Sequence, residues 1–413
     1  MIIDKIYNIS NKKYYLFRLL SSILRFIPQI IIIKLISPEV FAEYSLFITF
    51  TFLIISTSSI NLSTGFIAKF NKDLKDEKNI NLLLIKLLLG INIVTVPVFL
   101  VLGIFYKINF LTNHFFPILF YLLTESIIIE YQRFKYSLGD DVWLTRIELL
   151  NALSICLSII FSCIIYSFPI SNIGFIFLII KNILIIKKET NIKFNRNFSI
   201  KFISKRNIKN LFENYIYLIK TGAKEIIQLQ FFIFIYFIEK LLIKKYMGLI
   251  PLSIFSLSQS FFQNICAVLL LPNFAKLRRL IFLGNKFNIQ SYYYKLIFKS
   301  SILSFIILPF NSIIILGYLI IDEKYILLDS ILIILLGIFS ANFSSVSTIL
   351  SPRFSLDKEK TKKIFLYSIF ITSPLITLSI FKNNEYSYPD FILCFSLIII
   401  NSFLQLNFRI LNI

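Results

Sequence analysis

The segment FRLLSSILRF, Phe17 to Phe26, carries Arg18 and Arg25 inside an otherwise apolar run. Seven residues is close to two helical turns, so on a helix both guanidinium groups share one face. Further along, NYIYLIKTGAKEIIQLQFF, Asn214 to Phe232, sets Lys220, Lys224 and Gln228 on one face at steps of four, with Glu225 beside Lys224. ILFYLLTESIIIEYQRF, Ile118 to Phe134, holds Glu125 in mid-run and Glu130 nearer its end, in reach of Arg133 or Lys135. An ionisable group in a long apolar helix snorkels to an interface, pairs with an opposite charge, or faces a water-filled pathway. Arg18 and Lys220 lie near helix ends, where snorkelling is open to them. Arg25 stands about eleven residues, or about 16 Å, into its run, which suits either a cavity or an ion pair. Lys224 has the same two choices. Glu125 either neutralises Arg25 or Lys224, or binds a coupling proton or sodium ion.

Other reactive chemistry is sparse. Cys156, Cys163, Cys266 and Cys394 all fall in apolar runs, where free cysteine behaves as a small hydrophobe, and no paired metal-ligand spacing occurs. His114 is the only histidine. Gly139-Asp140-Asp141 reads as a helix start rather than a nucleotide-metal site, and there is no Gly-rich phosphate loop. No cofactor and no metal are expected, and ATP bound by this chain is not the energy source.

The elements that carry these residues are set by hydropathy. The chain of 413 residues is 57% hydrophobic, and its mean hydropathy of +0.79 is far above what a soluble core of this size needs. Apolar runs of about 18 to 25 residues, separated by charged or turn-forming clusters, match the hydrocarbon thickness of a bilayer. They predict spans near 14–36, 40–65, 82–105, 115–133, 142–166, 168–186, 214–239, 250–272, 296–320, 326–350, 363–382 and 389–408: an all-α, polytopic integral membrane protein of about twelve helices. No small-residue cleavage site follows Met1 to Lys13, so the first helix is expected to stay in the membrane.

With the N-terminus inside, lysine and arginine are several times more frequent in the inside segments than in the outside ones, where Lys34, Lys107, Lys240, Lys244, Lys245, Lys324 and Lys382 fall. Both termini are therefore expected in the cytoplasm. The net charge of +21 is dealt out to alternate loops at membrane spacing rather than gathered on one face, which argues against nucleic acid as a partner. The longest polar stretch, Lys187 to Asn210, reads as a solvated linker on anionic lipid headgroups. It divides the chain into an N-terminal six-helix lobe over 1–190, a basic cytoplasmic linker over 191–212 and a C-terminal six-helix lobe over 213–413.

The halves carry a faint repeat. KLISPEVFAEYSLFITF, Lys34 to Phe50, joins two spans by a short turn, and its pair of helices closes at FIAKFNK. KKYMGLIPLSIFSLSQ, Lys244 to Gln259, occupies the same place in the second half, closing at NFAKLRR.

In the first turn, Lys34, Leu35, Ser37, Pro38, Phe41 and Tyr44 resemble the turn after the first helix of Wzx-type polysaccharide flippases, with Ala42 where that family usually has Gly. In the second half, Glu239 stands where the family often has Asp before an apolar segment and a Gly, and Pro272 ends a span as it does there. These flippases belong to the superfamily that includes the MATE exporters. The resemblance implies two six-helix lobes around a central cavity. It also implies transport of an undecaprenyl-diphosphate-linked oligosaccharide from the cytoplasmic to the periplasmic leaflet of a bacterial inner membrane, for surface glycans such as O-antigen, beside a polysaccharide polymerase.

A diphosphate with sugars cannot cross hydrocarbon unaided, so a cationic cavity must replace water for it. On that reading Arg25 and Lys224, with Arg18 and Lys220 nearer the interface, hold the diphosphate between the first helices of the lobes. Glu125 and Glu225 then serve as counter-charges or take a coupling H+ or Na+. Two other functions fit the residues: a cation-coupled drug or metabolite exporter of the same fold, and a membrane-bound polymerase or glycosyltransferase. The enzyme reading suffers because every outward loop is short.

Overall fold

The computed structural model describes residues 2–59, 62, 77–105, 110, 113–138, 141–190, 216, 237–260, 263, 333–335 and 337. Among these, helix is the only regular secondary structure. Among the described residues, six long helices lie in the first half: α1 Ile2–Leu35, α2 Pro38–Ser58, α3 Glu77–Phe105, α4 Phe115–Leu138, α5 Asp141–Tyr166 and α6 Asn172–Thr190. From the second half come α7, residues 237–246, and α8, Leu249–Ser260.

Among the described residues, four stretches, Pro38–Ser58, Leu83–Val101, Phe115–Lys135 and Trp143–Tyr166, are long and apolar enough to cross a membrane. Their outward faces are apolar too. Ile93, Val94, Val98 and Val101 on α3 are exposed, as are Leu153, Leu157, Phe161 and Ile164 on α5. Val94, Val98 and Val101 on α3, and all four on α5, follow at steps of three and four and so share one stripe on each helix. The opposite faces bury polar side chains, including Asn92, Asn151, Ser158 and Ser162. Apolar outside and polar inside is the arrangement lipid selects, since hydrocarbon gives polar groups no partner. The chain is a multi-pass helical membrane protein.

Local sequence accounts for the boundaries. At the start of α2, Ser37 in extended conformation accepts a hydrogen bond from the Val40 N–H at 3.3 Å, and Pro38 takes the first helical position, where no N–H is required. The predicted span 40–65 ends sooner, at Ser58. There Ser56 and Ser58 hydroxyls donate to carbonyls three residues back, Thr57 donates to Leu53, and Ser59 closes the helix. Such side-chain bonds compete with the helical ladder. In contrast, α1 starts near the chain's beginning instead of at 14, because Ile2 to Lys13 contains neither Gly nor Pro to stop it. The sixth helix likewise runs past 186 through Lys187 and Lys188, which suit its negative C-terminal pole.

The first half is packed around α4, which lies against α2, α3, α5 and α6, while α1 runs along α5 and α2. One end of the bundle is closed by rings: Phe110 stacks on Phe47 at 4.7 Å and on Phe168 at 4.9 Å, and His114 Nδ1 meets Asn172 Oδ1 at 2.6 Å. Around α7 and α8, Phe237, Ile243, Leu252 and Phe255 join the same apolar core as Phe41, Phe47 and Ile54 of α2.

Candidate functional site

The described residues singled out by sequence fall in two places, and the structure adds a third. Arg25 is exposed on α1, yet its position belongs to the stripe of Ser21, Pro28 and Ile32, all buried. At about 100° per residue, the exposed apolar side chain of Ile23 lies on the other side of the helix. Arg25 is therefore exposed without sharing the apolar face. Gln29, one turn on, keeps Oε1 buried with no hydrogen-bond partner among the described residues. Arg18, seven residues before Arg25, belongs to the same stripe by helical position. Lys220, Lys224 and Glu225 lie outside the described residues, as does the linker 191–212.

Glu125 is the centre of a second site in the first half, buried except for the partly exposed Thr124. Its Oε2 accepts from Asn182 Nδ2 at 2.8 Å and faces Lys181 Nζ at 3.5 Å. Lys181 also donates to Asn151 Oδ1 at 2.6 Å, and Asn182 Nδ2 to Thr124 Oγ1 at 3.1 Å. Three helices supply these groups: Thr124 and Glu125 from α4, Asn151 from α5, Lys181 and Asn182 from α6. Glu125 thus pairs with Lys181 and not with Arg25. Asn182 Oδ1 and, nearby in the same half, Asn92 Nδ2 are buried acceptor and donor without partners among the described residues. Near the far end of α4, Glu130 is ion-paired with Arg133, and Glu189 of α6 accepts from Tyr131 OH at 3.1 Å and Trp143 Nε1 at 2.7 Å.

The third site joins the two halves. Lys240, only 5% exposed, donates to Ser45 Oγ and Thr49 Oγ1, each at 2.8 Å. Lys244, one turn on, meets Glu43 Oε1 at 2.6 Å. One turn before, Phe237 packs on Phe50 at 5.2 Å between ring centroids. As numbers rise along α7 they fall along α2, so the two helices run antiparallel. The seventh span was predicted to end at 239, with Lys240 and Lys244 in an outside loop. Instead the helix continues to Tyr246 and is capped by Gly248, whose φ of 98° lies in the left-handed region that glycine occupies without strain.

Lys181 and Lys240 were not among the sequence candidates. A lone lysine in FIFLIIKNILII was the available signal for the first. For the second it was the spacing of Phe237, Lys240 and Lys244 on one helical face. Among the described residues no group of three or more His, Cys, Asp or Glu side chains could hold a metal ion. Cys156 and Cys163 are buried free thiols.

No known protein family matches the chain by sequence, and no curated protein does so. Among solved structures, the chain is similar to an outward-facing conformation of a multidrug resistance MATE family transporter of the MOP superfamily, with a TM-score of 0.47 and 14% identity over 96% of each chain. It is also similar to an inward-facing conformation of such a transporter, with a TM-score of 0.46 and 13% identity over 95% of this chain and 94% of that one.

Proposed function

We propose that this chain is a flippase that carries an undecaprenyl-diphosphate-linked oligosaccharide from the cytoplasmic to the periplasmic leaflet of a bacterial inner membrane. It would work by alternating access of two lobes, 1–190 and 213–413, about the linker 191–212, with both termini cytoplasmic. The observation that carries this reading is Arg25: a guanidinium exposed on a helix face whose neighbouring positions are buried, away from the apolar stripe. A fork of donors there is suited to phosphate oxygens, and the lipid tail can stay in hydrocarbon throughout. Lys224 would supply the matching charge from the second lobe, with Arg18 and Lys220 guiding the headgroup at the interface. No bond is made or broken in the process, so the protein acts as a transporter and hands its cargo to a polysaccharide polymerase.

The test is surface glycan per unit of membrane-inserted protein. Arg25→Lys should keep part of the transport, Arg25→Gln should lose nearly all of it, and Arg18→Gln should do less. Near-normal export by Arg25→Gln removes this residue from the mechanism. Orientation is tested separately in a cysteine-free variant, where a cysteine at Asn383 should react with an impermeant thiol reagent on intact cells and one at Asn195 should not.

Glu125 favours a second reading. A buried carboxylate that exchanges Lys181 for H+ or Na+ would suit a cation-coupled drug or metabolite exporter. Binding of anionic against cationic ligands to the purified protein separates the two, since the exporter reading expects cations to bind in place of diphosphates.

A further inference from the structure

The seam between α2 and α7 holds two lysines one turn apart on different terms. Lys244 has a carboxylate, Glu43, at a partly exposed rim. Lys240, deeper and buried, has two neutral hydroxyls. Glu239, adjacent in sequence, attracts the Lys240 ammonium electrostatically, but the hydrogen bonds of Lys240 go to Ser45 and Thr49, and adjacent helical positions point about 100° apart. A buried ammonium ordinarily sits on a carboxylate, because hydroxyls return less of the hydration it gives up. Thr49 does not depend on the lysine, since its hydroxyl also donates to the Ser45 carbonyl at 2.8 Å. The hydroxyl pair is thus a weak acceptor set that can be left without stranding a charge.

We propose that Lys240 is a releasable latch between the two halves of the molecule, and that an anionic, phosphate-bearing headgroup releases it by taking the ammonium from Ser45 and Thr49. A charge-assisted hydrogen bond to a phosphate oxygen is stronger than one to a hydroxyl, so an arriving anion outcompetes the two side chains. The same anion gains far less from Lys244, whose charge Glu43 already meets. Below the latch, Phe50 and Phe237 seal the seam. The seam runs from Glu43, near the start of α2, to Phe50 at its middle, and α2 starts at the periplasmic end if the N-terminus is cytoplasmic. Release of Lys240 then opens the outer side once the headgroup has arrived from within. This deepens the flippase reading, and the anionic ligand rests on it. The latch itself rests only on the contacts of the seam.

The experiment uses the full chain with its cysteines replaced and Phe50→Cys as the reporter, labelled by an impermeant thiol reagent on intact cells and on inside-out vesicles. Lys240→Met should raise the labelling rate from the outside about tenfold, because two charge-assisted hydrogen bonds are lost. Ser45→Asp gives the ammonium a permanent counter-charge and should lower the rate about tenfold and stop glycan export at normal protein level. Ser45→Asn, neutral and close in size, should stay within about twofold of the parent. Unchanged labelling in both Lys240→Met and Ser45→Asp overturns the latch. If the changes occur only in inside-out vesicles, the latch stands and the assigned orientation falls. On the purified protein, inorganic pyrophosphate and vesicles containing undecaprenyl diphosphate are compared as openers. Opening by the lipid alone identifies a lipid-borne headgroup, and opening by both identifies the diphosphate itself. Opening by neither overturns release by an anion, whatever the outcome for the latch.

Discussion

Lys181 and Lys240 are both buried ammonium groups, yet they are held on opposite terms. The first lies within one helical half against Glu125 and Asn151. The second lies between helices of different halves on Ser45 and Thr49. A carboxylate partner makes separation costly, because each group left behind is a bare charge in a low-dielectric interior. A hydroxyl partner makes separation cheap on the protein's side. The difference divides the molecule into a part built to stay together and a seam that can part.

The largest test of that division is to break the first pair. Glu125→Gln leaves Lys181 charged among α4, α5 and α6, and Lys181→Met leaves Glu125 in the same position. Each should lower stability by ~3–5 kcal/mol, seen as loss of membrane-inserted protein and of folded protein after heating in detergent. The double variant Glu125→Gln with Lys181→Met should regain most of it, because no bare charge remains. Recovery of export with recovery of protein would mark the pair as structural. Recovery of protein without export would place the Glu125 charge in the transport cycle.

Helix existence was legible in the sequence, while the partnership of charges was not. All six predicted spans of the first half correspond to helices α1 to α6, since long apolar runs leave the backbone no other way to satisfy its polar groups in lipid. The Ser37-Pro38 start could be read directly, because a cap depends on residues three apart. Ends were less legible. The serine-rich close of α2 and the extension of α7 past Glu239 depend on how side chains meet neighbouring helices, and hydropathy sees neither. Glu125 was visible as an anomaly, but its partner lies on α6. Which of Arg25, Lys181 or Lys224 it meets is decided by the rotation of whole helices about their axes.

A smaller effect is expected from opening the seam. Lys240→Met removes two hydrogen bonds from a cation but leaves two hydroxyls, of which Thr49 already has the Ser45 carbonyl. The expected loss is ~1–3 kcal/mol, below that of Glu125→Gln, measured as the same heat resistance in detergent. A loss as large as that of Glu125→Gln would mean that the hydroxyls hold the ammonium as firmly as a carboxylate does, and the division between fixed half and parting seam would fail.

The smallest effect belongs to the rim. Lys244 and Glu43 form a short ion pair, but their side chains are 29% and 18% exposed, so water screens the attraction and re-solvates either group when its partner is removed. Lys244→Met should cost ~0–1 kcal/mol, and a double-mutant cycle with Glu43→Gln should give a coupling no larger than that. Raising the salt concentration should reduce this coupling and leave the coupling between Glu125 and Lys181 nearly unchanged, because only the rim pair is open to ions. Glu43 Oε2 is buried with no hydrogen-bond partner among the described residues, so Glu43→Gln relieves a cost as well as removing a contact. Lys244→Met alone is free of that complication and is the cleaner measure. A loss above that of Lys240→Met would reverse the order of the two lysines and place the firm contact of the seam at its rim.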